Sequence, residues 1–322
     1  VLLGTATPSI ESYHNALSGK YGLVEMTERF QGLQLPQITM IDLQRQYHRK
    51  EMYGHFSDPL VDRIREELSK GKQVILFQNR RGFSSFIECQ QCGWIPRCPH
   101  CDVTLTLHKK SSTLTCHYCG FSTPVPGQCP ACEEKRFTDI GVGTEKVEEQ
   151  IAQLFEGATT LRMDLDTAKT RQQYEHIIND FSNHKADILI GTQMIAKGHD
   201  YPNVTLVGIM AADLSLHVDS YTAAETGFRL MTQAAGRAGR RDGKGRVFIQ
   251  TYQPEHYAVQ AAKVQSYETF YELEIAYRDL MSYPPMSGML AMMLQSADEE
   301  LLEAEAEKIK LHILEMEISL LR

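Results

Sequence analysis

Short apolar runs alternate with longer segments of helical period along most of the chain. Gln73-Val74-Ile75-Leu76-Phe77 reads as a buried strand that follows a helix over residues 60–69. Leu161-Arg162-Met163-Asp164 reads as a second, set between helices near residues 146–155 and 172–181. Asp187-Ile188-Leu189-Ile190-Gly191 and Val204-Thr205-Leu206-Val207-Gly208-Ile209 follow, and a helix near residues 223–235 precedes Arg246-Val247-Phe248-Ile249-Gln250. A strand covered on both faces is apolar without interruption, and strands that alternate with helices form a parallel sheet with helices on both sides. Val1-Leu2-Leu3-Gly4-Thr5-Ala6 reads as one more buried strand. The chain starts and stops inside such patterns, as a piece of a longer protein would.

Residues 88–139 break the rhythm, and the sheet pattern resumes after them. The stretch is rich in Cys, Pro and Gly and poor in apolar runs, so it reads as an inserted module. A last segment starts near residue 255. It carries a predicted helix over 267–280, Tyr283-Pro284-Pro285, a predicted strand over 289–294 and a terminal helix from 304 onward. The expected division is 1–22, then 23–87 with 140–254 as one lobe, the insert 88–139, and a partial α+β domain over 255–322.

Apolar residues make up 42% of the 322 positions, enough for a full core. No run approaches the roughly 18 apolar residues of a membrane span, and the first residues do not read as a signal peptide. The reading is a soluble, cytoplasmic protein. The net charge of −8 argues against a polyanionic partner, but its distribution changes the picture. Residues 80–136 hold seven Lys or Arg against four Asp or Glu, a balance of +3 that leaves −11 on the rest.

All eight cysteines lie in that basic insert, as Cys89/Cys92, Cys98/Cys101, Cys116/Cys119 and Cys129/Cys132. A Cys-x-x-Cys turn supplies two soft ligands, and structural zinc takes four in a tetrahedron. Four turns therefore make two zinc sites. Disulfides do not suit an intracellular chain, and a redox motif is a single pair beside a βαβ unit. Gly93, Pro99, Gly120 and Pro130 flank the pairs, as tight turns require. His100, His108 and His117 are further ligand candidates that eight sulfurs make unnecessary. Two pairings are open. Sequential pairing joins neighbouring turns. Nested pairing joins Cys89, Cys92, Cys129 and Cys132 in one site and Cys98, Cys101, Cys116 and Cys119 in the other. The zinc-ribbon spacing of the inner four favours nesting. So does the need to close the insert's two ends. The inner ribbon would then project outward. The insert as a whole presents Trp94, Arg97, Lys109, Lys110 and Tyr118 to a nucleic acid or a protein.

Three segments outside the insert carry a second signal. Thr5-Ala6-Thr7-Pro8-Ser9 closes one apolar run, and Gly191-Thr192-Gln193-Met194-Ile195-Ala196-Lys197-Gly198 closes another. Gln233-Ala234-Ala235-Gly236-Arg237-Ala238-Gly239-Arg240 reads as a helix end with two arginines on one side. A planar guanidinium suits phosphate, and glycine lets a ligand come close.

With these motifs the chain resembles the primosomal replication-restart DNA helicases of superfamily 2, the PriA family. The resemblance also runs through Asn79-Arg80-Arg81-Gly82-Phe83, Cys116-His117-Tyr118-Cys119-Gly120, Gly141-Val142-Gly143-Thr144-Glu145 and Tyr283-Pro284-Pro285. It implies a RecA-like second helicase lobe and nested zinc pairing. It implies an ATP-driven 3′-5′ DNA helicase that recognises forked DNA and starts primosome assembly. Mg-ATP would be the cofactor beside two zinc ions. The implied partners are forked and single-stranded DNA, other primosome proteins, single-stranded-DNA-binding protein and the replicative helicase loader.

The family's Gly-x-x-x-x-Gly-Lys-Thr loop and Asp-Glu-x-His box do not occur in this chain. The expectation is a fragment without the first motor lobe, inactive by itself. Gly141-Val142-Gly143-Thr144 does not replace the loop, and Thr144 reads as a helix N-cap. The chain also has Ser220-Tyr221-Thr222 and Thr226 where the family pattern has Asp-Phe-Arg and Arg.

By resemblance Arg240 is the arginine finger, with Arg237 beside it and Gln233 placing the nucleotide or the attacking water. Gly198, Asp200 and Gly236 line the nucleotide side, and Thr192, Gln193 and Lys197 couple the site to DNA. The rival reading is a zinc-ribbon DNA- or protein-binding module on a RecA-like scaffold without ATPase activity.

Overall fold

A computed structural model of the chain describes residues 1–26, 34–78, 86–89, 91–100, 102–108, 111–116, 119–139, 144–195, 200–218, 220–239, 245–290, 292, 294, 296 and 298–320. Six strands form its main sheet: β1 (Gln37–Asp42), β2 (Gln73–Phe77), β3 (Thr160–Met163), β4 (Ile188–Gly191), β5 (Val204–Ile209) and β6 (Arg246–Thr251). Their spatial order is β1-β6-β5-β2-β4-β3, and every pairing is parallel.

Successive side chains of a strand point to opposite faces. Ile75, Phe77, Leu189, Val207, Ile209, Val247 and Ile249 accordingly share one core, roofed by the helices Ile10–Leu17, Arg171–Ser182, Ala223–Ala235, Tyr257–Val264 and Tyr267–Leu280. Val74, Leu76, Ile188, Ile190, Leu206 and Phe248 share the other, with Leu60, Val61 and Ile64 of Asp58–Ser69 and Val147 and Ile151 of Thr144–Leu154. The sheet is thus buried on both faces, as the uninterrupted apolar runs require.

Buried polar groups tie the layers together. The fully buried Gln250 accepts from the Ser57 amide (2.9 Å) and hydroxyl (2.7 Å) and donates to the carbonyls of His55 (2.9 Å) and Met210 (3.1 Å). Gln73 donates to the carbonyls of Phe181 (2.8 Å) and Ala186 (2.7 Å). A carboxamide in a core is tolerated only when it is satisfied in this way.

Three expectations are corrected. Residues 1–6 form no strand and are exposed, and residues 289, 290, 292 and 294 lie outside any strand and are exposed too. A strand needs a neighbour for its backbone groups, and none pairs with either segment among the described residues. Thr144 is the first residue of its helix rather than a cap, and its hydroxyl donates to the Asp164 carboxylate at 2.6 Å. The edge strand β1 and the helices Ile10–Leu17, Leu43–Arg49 and Tyr257–Val264 add to the predicted elements.

Within the insert, Ile87–Cys89 pairs antiparallel with Phe137–Asp139 where the chain leaves and re-enters the lobe. A small sheet, Thr106–His108, Thr113–Thr115 and Ser122–Pro124, encloses Val103, Leu105 and Leu114 together with Cys98 and Cys116. Residues 287–322 form a separate compact unit whose helix is Glu299–Leu320. Among the described residues no helix is long and apolar enough to cross a membrane.

Candidate metal centre and motor-motif face

The first cysteines of the four Cys-x-x-Cys pairs share one pattern of backbone hydrogen bonds. The amides of Cys89, Cys98, Cys116 and Cys129 donate to the carbonyls of Trp94, Val103, Phe121 and Glu134, at 2.9, 2.8, 2.8 and 2.7 Å. Their own carbonyls accept from the amides of Gly93, Asp102, Gly120 and Glu133, at 2.9, 3.0, 3.0 and 2.8 Å. Those four residues all have positive φ, between 50° and 75°. Two are glycines, which take that conformation freely, and two carry side chains that the turn forces into it.

The turns bring the sulfurs together as outer with outer and inner with inner. Cys89, Cys92, Cys129 and Cys132 have all their sulfurs within 4.8 Å of one another, and so do Cys98, Cys116 and Cys119. Cys101 lies outside the described residues. Cys89 Sγ is 3.5 Å from Cys132 Sγ, Cys92 Sγ is 3.6 Å from Cys129 Sγ, and Cys98 Sγ is 3.5 Å from Cys119 Sγ. A disulfide needs about 2.05 Å. Four sulfurs at the usual zinc distance of about 2.3 Å stand roughly 3.8 Å apart in a tetrahedron. The donor set therefore fits zinc. Described histidines are not in either cluster: His100 packs edge-on against Phe121 at 5.7 Å, and His108 is exposed. His117 lies outside the described residues.

Both halves of the insert dock on the lobe. Gln44 donates to the carbonyls of Cys92 (2.6 Å) and Tyr252 (3.0 Å). A Cβ at Gly93 would come within 2.8 Å of Tyr252 Cβ, so this turn needs glycine twice over, for its φ and for its close approach. Phe86, Ile95 and Leu214 form an apolar joint. From the inner half, Thr104 Oγ1 lies 3.5 Å from His217 Nδ1, and Asp102 accepts from the Tyr277 hydroxyl at 3.2 Å.

His217 is buried. Its burial, and then the Arg97 charge, hold the imidazole well below its usual pKa, so the ring is neutral. Gln253 Nε2 donates to His217 Nε2 at 2.9 Å, which leaves Nδ1 as the donor toward Thr104. The expectation that the inner ribbon projects freely is thus corrected for residues 102–104. Its first turn is a docking surface. Trp94 is half-buried against Phe137, 6.3 Å between ring centroids, and Arg97 pairs with Asp102 at 2.9 Å. Lys109, Lys110 and Tyr118 lie outside the described residues.

Two of the three segments outside the insert meet. Gln233 Nε2 donates to Thr7 Oγ1 at 3.4 Å, across 226 positions of sequence, and Thr7 is buried. Ser9 caps the helix Ile10–Leu17 by accepting from the Ser12 amide. Thr192 is buried at the end of β4, its amide donating to the Met163 carbonyl at 3.2 Å, and Gln193 is half-buried beside it. Asp200 is exposed.

The helix Ala223–Ala235 stops at Gly236, and Gly239 has φ +64°. Arg237 therefore sits in a turn and not on a helix face, which corrects the expectation of two arginines aligned along a helix. It is buried, and its charge opposes the rise that burial gives the pKa of the Tyr174 and Tyr201 hydroxyls. Lys197, Gly198 and Arg240 lie outside the described residues, as do residues 79–83 and 141–143. Ser220 and Thr222 shape the start of this helix: the Thr222 amide donates to Ser220 Oγ at 3.2 Å, and Tyr221 stacks on Tyr283 at 5.2 Å. Thr226 is half-buried one turn further on.

The "PriA DNA helicase Cys-rich region (CRR) domain" matches residues 98–124, and the "Helicase conserved C-terminal domain" matches residues 135–242. A replication restart protein PriA of Bacillus subtilis is 43% identical over 309 residues, 96% of this chain and 38% of the relative. Another, from Chlamydia pneumoniae, is 40% identical over 90% of this chain and 39% of the relative.

This chain belongs to the PriA family.

The match spans about two fifths of the length of these PriA relatives. Among solved structures, one titled "Structure of RecG bound to three-way DNA junction" covers 85% of this chain and 29% of its own, at a TM-score of 0.40 and 13% identity. Several positions that shape this PriA-family site gave no signal in the sequence. Asp102 and Glu133 carry no glycine signature although their turns match those of Gly93 and Gly120. Gln44 and His217 look like ordinary polar residues, and only the contacts they make in the fold reveal them.

Proposed function

We propose that this chain is the second motor lobe, with its zinc insert, of an ATP-dependent 3′-5′ DNA helicase that acts on forked replication DNA and initiates primosome assembly. The Thr7–Gln233 contact carries the reading, because it joins two of the motifs across 226 positions of sequence. Membership of the PriA family and the docked insert support it.

Phosphoryl transfer needs positioning and charge stabilisation more than covalent chemistry. In the complete protein Arg240 would place its guanidinium on the developing charge of the transferred phosphoryl group of Mg-ATP. Arg237, buried in the preceding turn, would hold that strand of backbone in place. Gln233 would orient the nucleotide or the water from a side chain already set by Thr7. Gly198, Asp200 and Gly236 would border the nucleotide, and Thr192, Gln193 and Lys197 would pass the opening and closing of the cleft to the DNA backbone. Cys89, Cys92, Cys129 and Cys132 would hold one zinc ion and Cys98, Cys101, Cys116 and Cys119 the second, each ion serving as a structural crosslink. Partners of the complete protein would include single-stranded-DNA-binding protein and the loader of the replicative helicase.

The test compares the complete protein with this chain. The complete protein is expected to release phosphate from ATP in a manner stimulated by single-stranded DNA and to unwind a fork. The 322 residues alone are expected to release none, since they contain no Gly-Lys-Thr loop and no Asp-Glu-x-His box. Equal rates from the two would refute this assignment. A complete protein that binds forks but never hydrolyses ATP would leave the rival reading, a zinc-ribbon binding module on a RecA-like scaffold.

A further inference from the structure

Arg278 lies in the helix Tyr267–Leu280 with none of its side chain exposed. Its Nε donates to Glu274 at 2.8 Å and its Nη2 to Glu225 at 2.6 Å. Its Nη1 donates to Glu11 at 2.9 Å and to the Pro284 carbonyl at 3.1 Å. The guanidinium also sits 5.2 Å from the centre of the Tyr221 ring. One side chain therefore touches the helix that follows residues 5–9, the start of the helix Ala223–Ala235 that carries Gln233, its own helix, and the segment after it.

This arrangement is costly as a source of stability. A buried cation loses its hydration, and well-packed apolar residues of similar volume are commonly as stable or more so. Three carboxylates around one guanidinium also leave the cluster negative. The apolar joint exists without it: Phe228 stacks on Phe270 at 4.3 Å, and Tyr13 meets Tyr267 and Tyr271 edge-on at 5.1 and 4.8 Å. Ring contacts allow sliding and rotation. A planar guanidinium, with donors at fixed angles, does not.

The geometry points to one role. We infer that Arg278 is a positioning residue that locks the helix after residues 5–9 and the helix carrying Gln233 into a single register, keeping Thr7 against Gln233. Glu225 is the relay. One of its oxygens takes Arg278, and the other accepts from the Ile10 amide at 3.4 Å, three residues beyond Thr7. Gln233 lies eight residues further along the same helix, roughly 12 Å at the helical rise. Both ends of the Thr7–Gln233 contact are thus set by one side chain that approaches neither. Residues 267–284 become part of the motor lobe's working machinery and not merely a neighbour of it.

The geometric claim stands on its own, while its consequence for turnover rests on the proposed motor function. The test uses the complete protein as wild type, Arg278→Met, Arg278→Lys and Glu11→Gln. Amide hydrogen exchange reads the register directly. In Arg278→Met, residues 9–13 and 232–237 should exchange at least roughly tenfold faster, with β2 and β5 unchanged. Turnover of ATP with saturating single-stranded DNA should fall on the order of ten- to a hundredfold while KM for ATP stays nearly constant. Arg278→Lys keeps the charge but not the fork, so it should restore thermal stability without restoring turnover.

Glu11→Gln takes the charge from a single arm, at a partly exposed residue, and folds even if Arg278→Met does not. It should loosen residues 9–13 alone. Unchanged exchange at both segments in Arg278→Met, or at residues 9–13 in Glu11→Gln, would overturn the inference, as would full recovery of turnover in Arg278→Lys. A wild-type protein without DNA-stimulated hydrolysis would sink the motor reading alone and leave exchange to decide the register claim.

Discussion

Replacing Cys89 and Cys132 with serine is expected to lower the metal content of the protein from two zinc ions to one and to free the whole insert from the lobe. These residues stand at the two ends of the insert, on or next to the only backbone pairing at its neck among the described residues. That pairing spans three residue pairs, and net hydrogen bonds contribute about 0.5–1.5 kcal/mol each. Structural zinc contributes an apparent 10–16 kcal/mol or so in small zinc domains. The metal therefore dominates the neck. The Gln44 bond to the Cys92 carbonyl and the close packing of Gly93 on Tyr252 depend on the same turn keeping its shape.

The matched control is Cys116→Ser with Cys119→Ser, which breaks the inner cluster. It should also leave one zinc ion, but it should release chiefly the small sheet over 106–124, because Phe86, Ile95, Leu214 and Gln44 still hold the outer half. Some loosening at Thr104 and Asp102 is expected as well, since their turn begins at Cys98. Elemental analysis gives the stoichiometry, and limited proteolysis with mass mapping gives the extent of release. Two ions retained in the outer variant, or identical cleavage patterns in the two variants, would count against the assignment.

In the complete protein, Arg240→Ala is expected to slow ATP turnover by about 10³- to 10⁵-fold, the usual worth of an arginine finger, with much less effect on ATP binding. The charge it would supply matters most where charge develops, in the transition state, and little in the bound ground state. Arg237→Ala should behave differently. Arg237 is buried in the turn after the helix Ala223–Ala235, so its loss should reduce stability as well as turnover. Steady-state kinetics with a separate measurement of nucleotide affinity distinguishes the two. Near-normal turnover in Arg240→Ala would remove it from the reaction.

Much of this protein follows from its sequence by itself. The runs at residues 73–77 and 204–209 coincide with strands β2 and β5 because a parallel strand buried on both faces is apolar almost throughout. The helices over 223–235 and 267–280 were legible for a related reason: each buries one stripe at a local period. Cysteine spacing announced four metal-binding turns, since the ligand geometry of such a turn is contained in a few consecutive residues.

Tertiary structure decided whatever depends on a distant partner. β1 is an edge strand with a mixed pattern, and it exists because β6, more than two hundred residues away, offers it a register. Residues 1–6 have an apolar pattern as strong as any strand, yet form none without such a neighbour. Asp102 and Glu133 adopt left-handed backbone because the turn's hydrogen bonds demand it, not because their side chains prefer it. The docking of Thr104 on His217 and the burial of Arg278 among three carboxylates share one cause. Each is a contact between segments far apart in sequence, and no local period or spacing records which distant group will arrive to satisfy a buried charge, whereas the nested grouping of the cysteine turns was already indicated by their spacing.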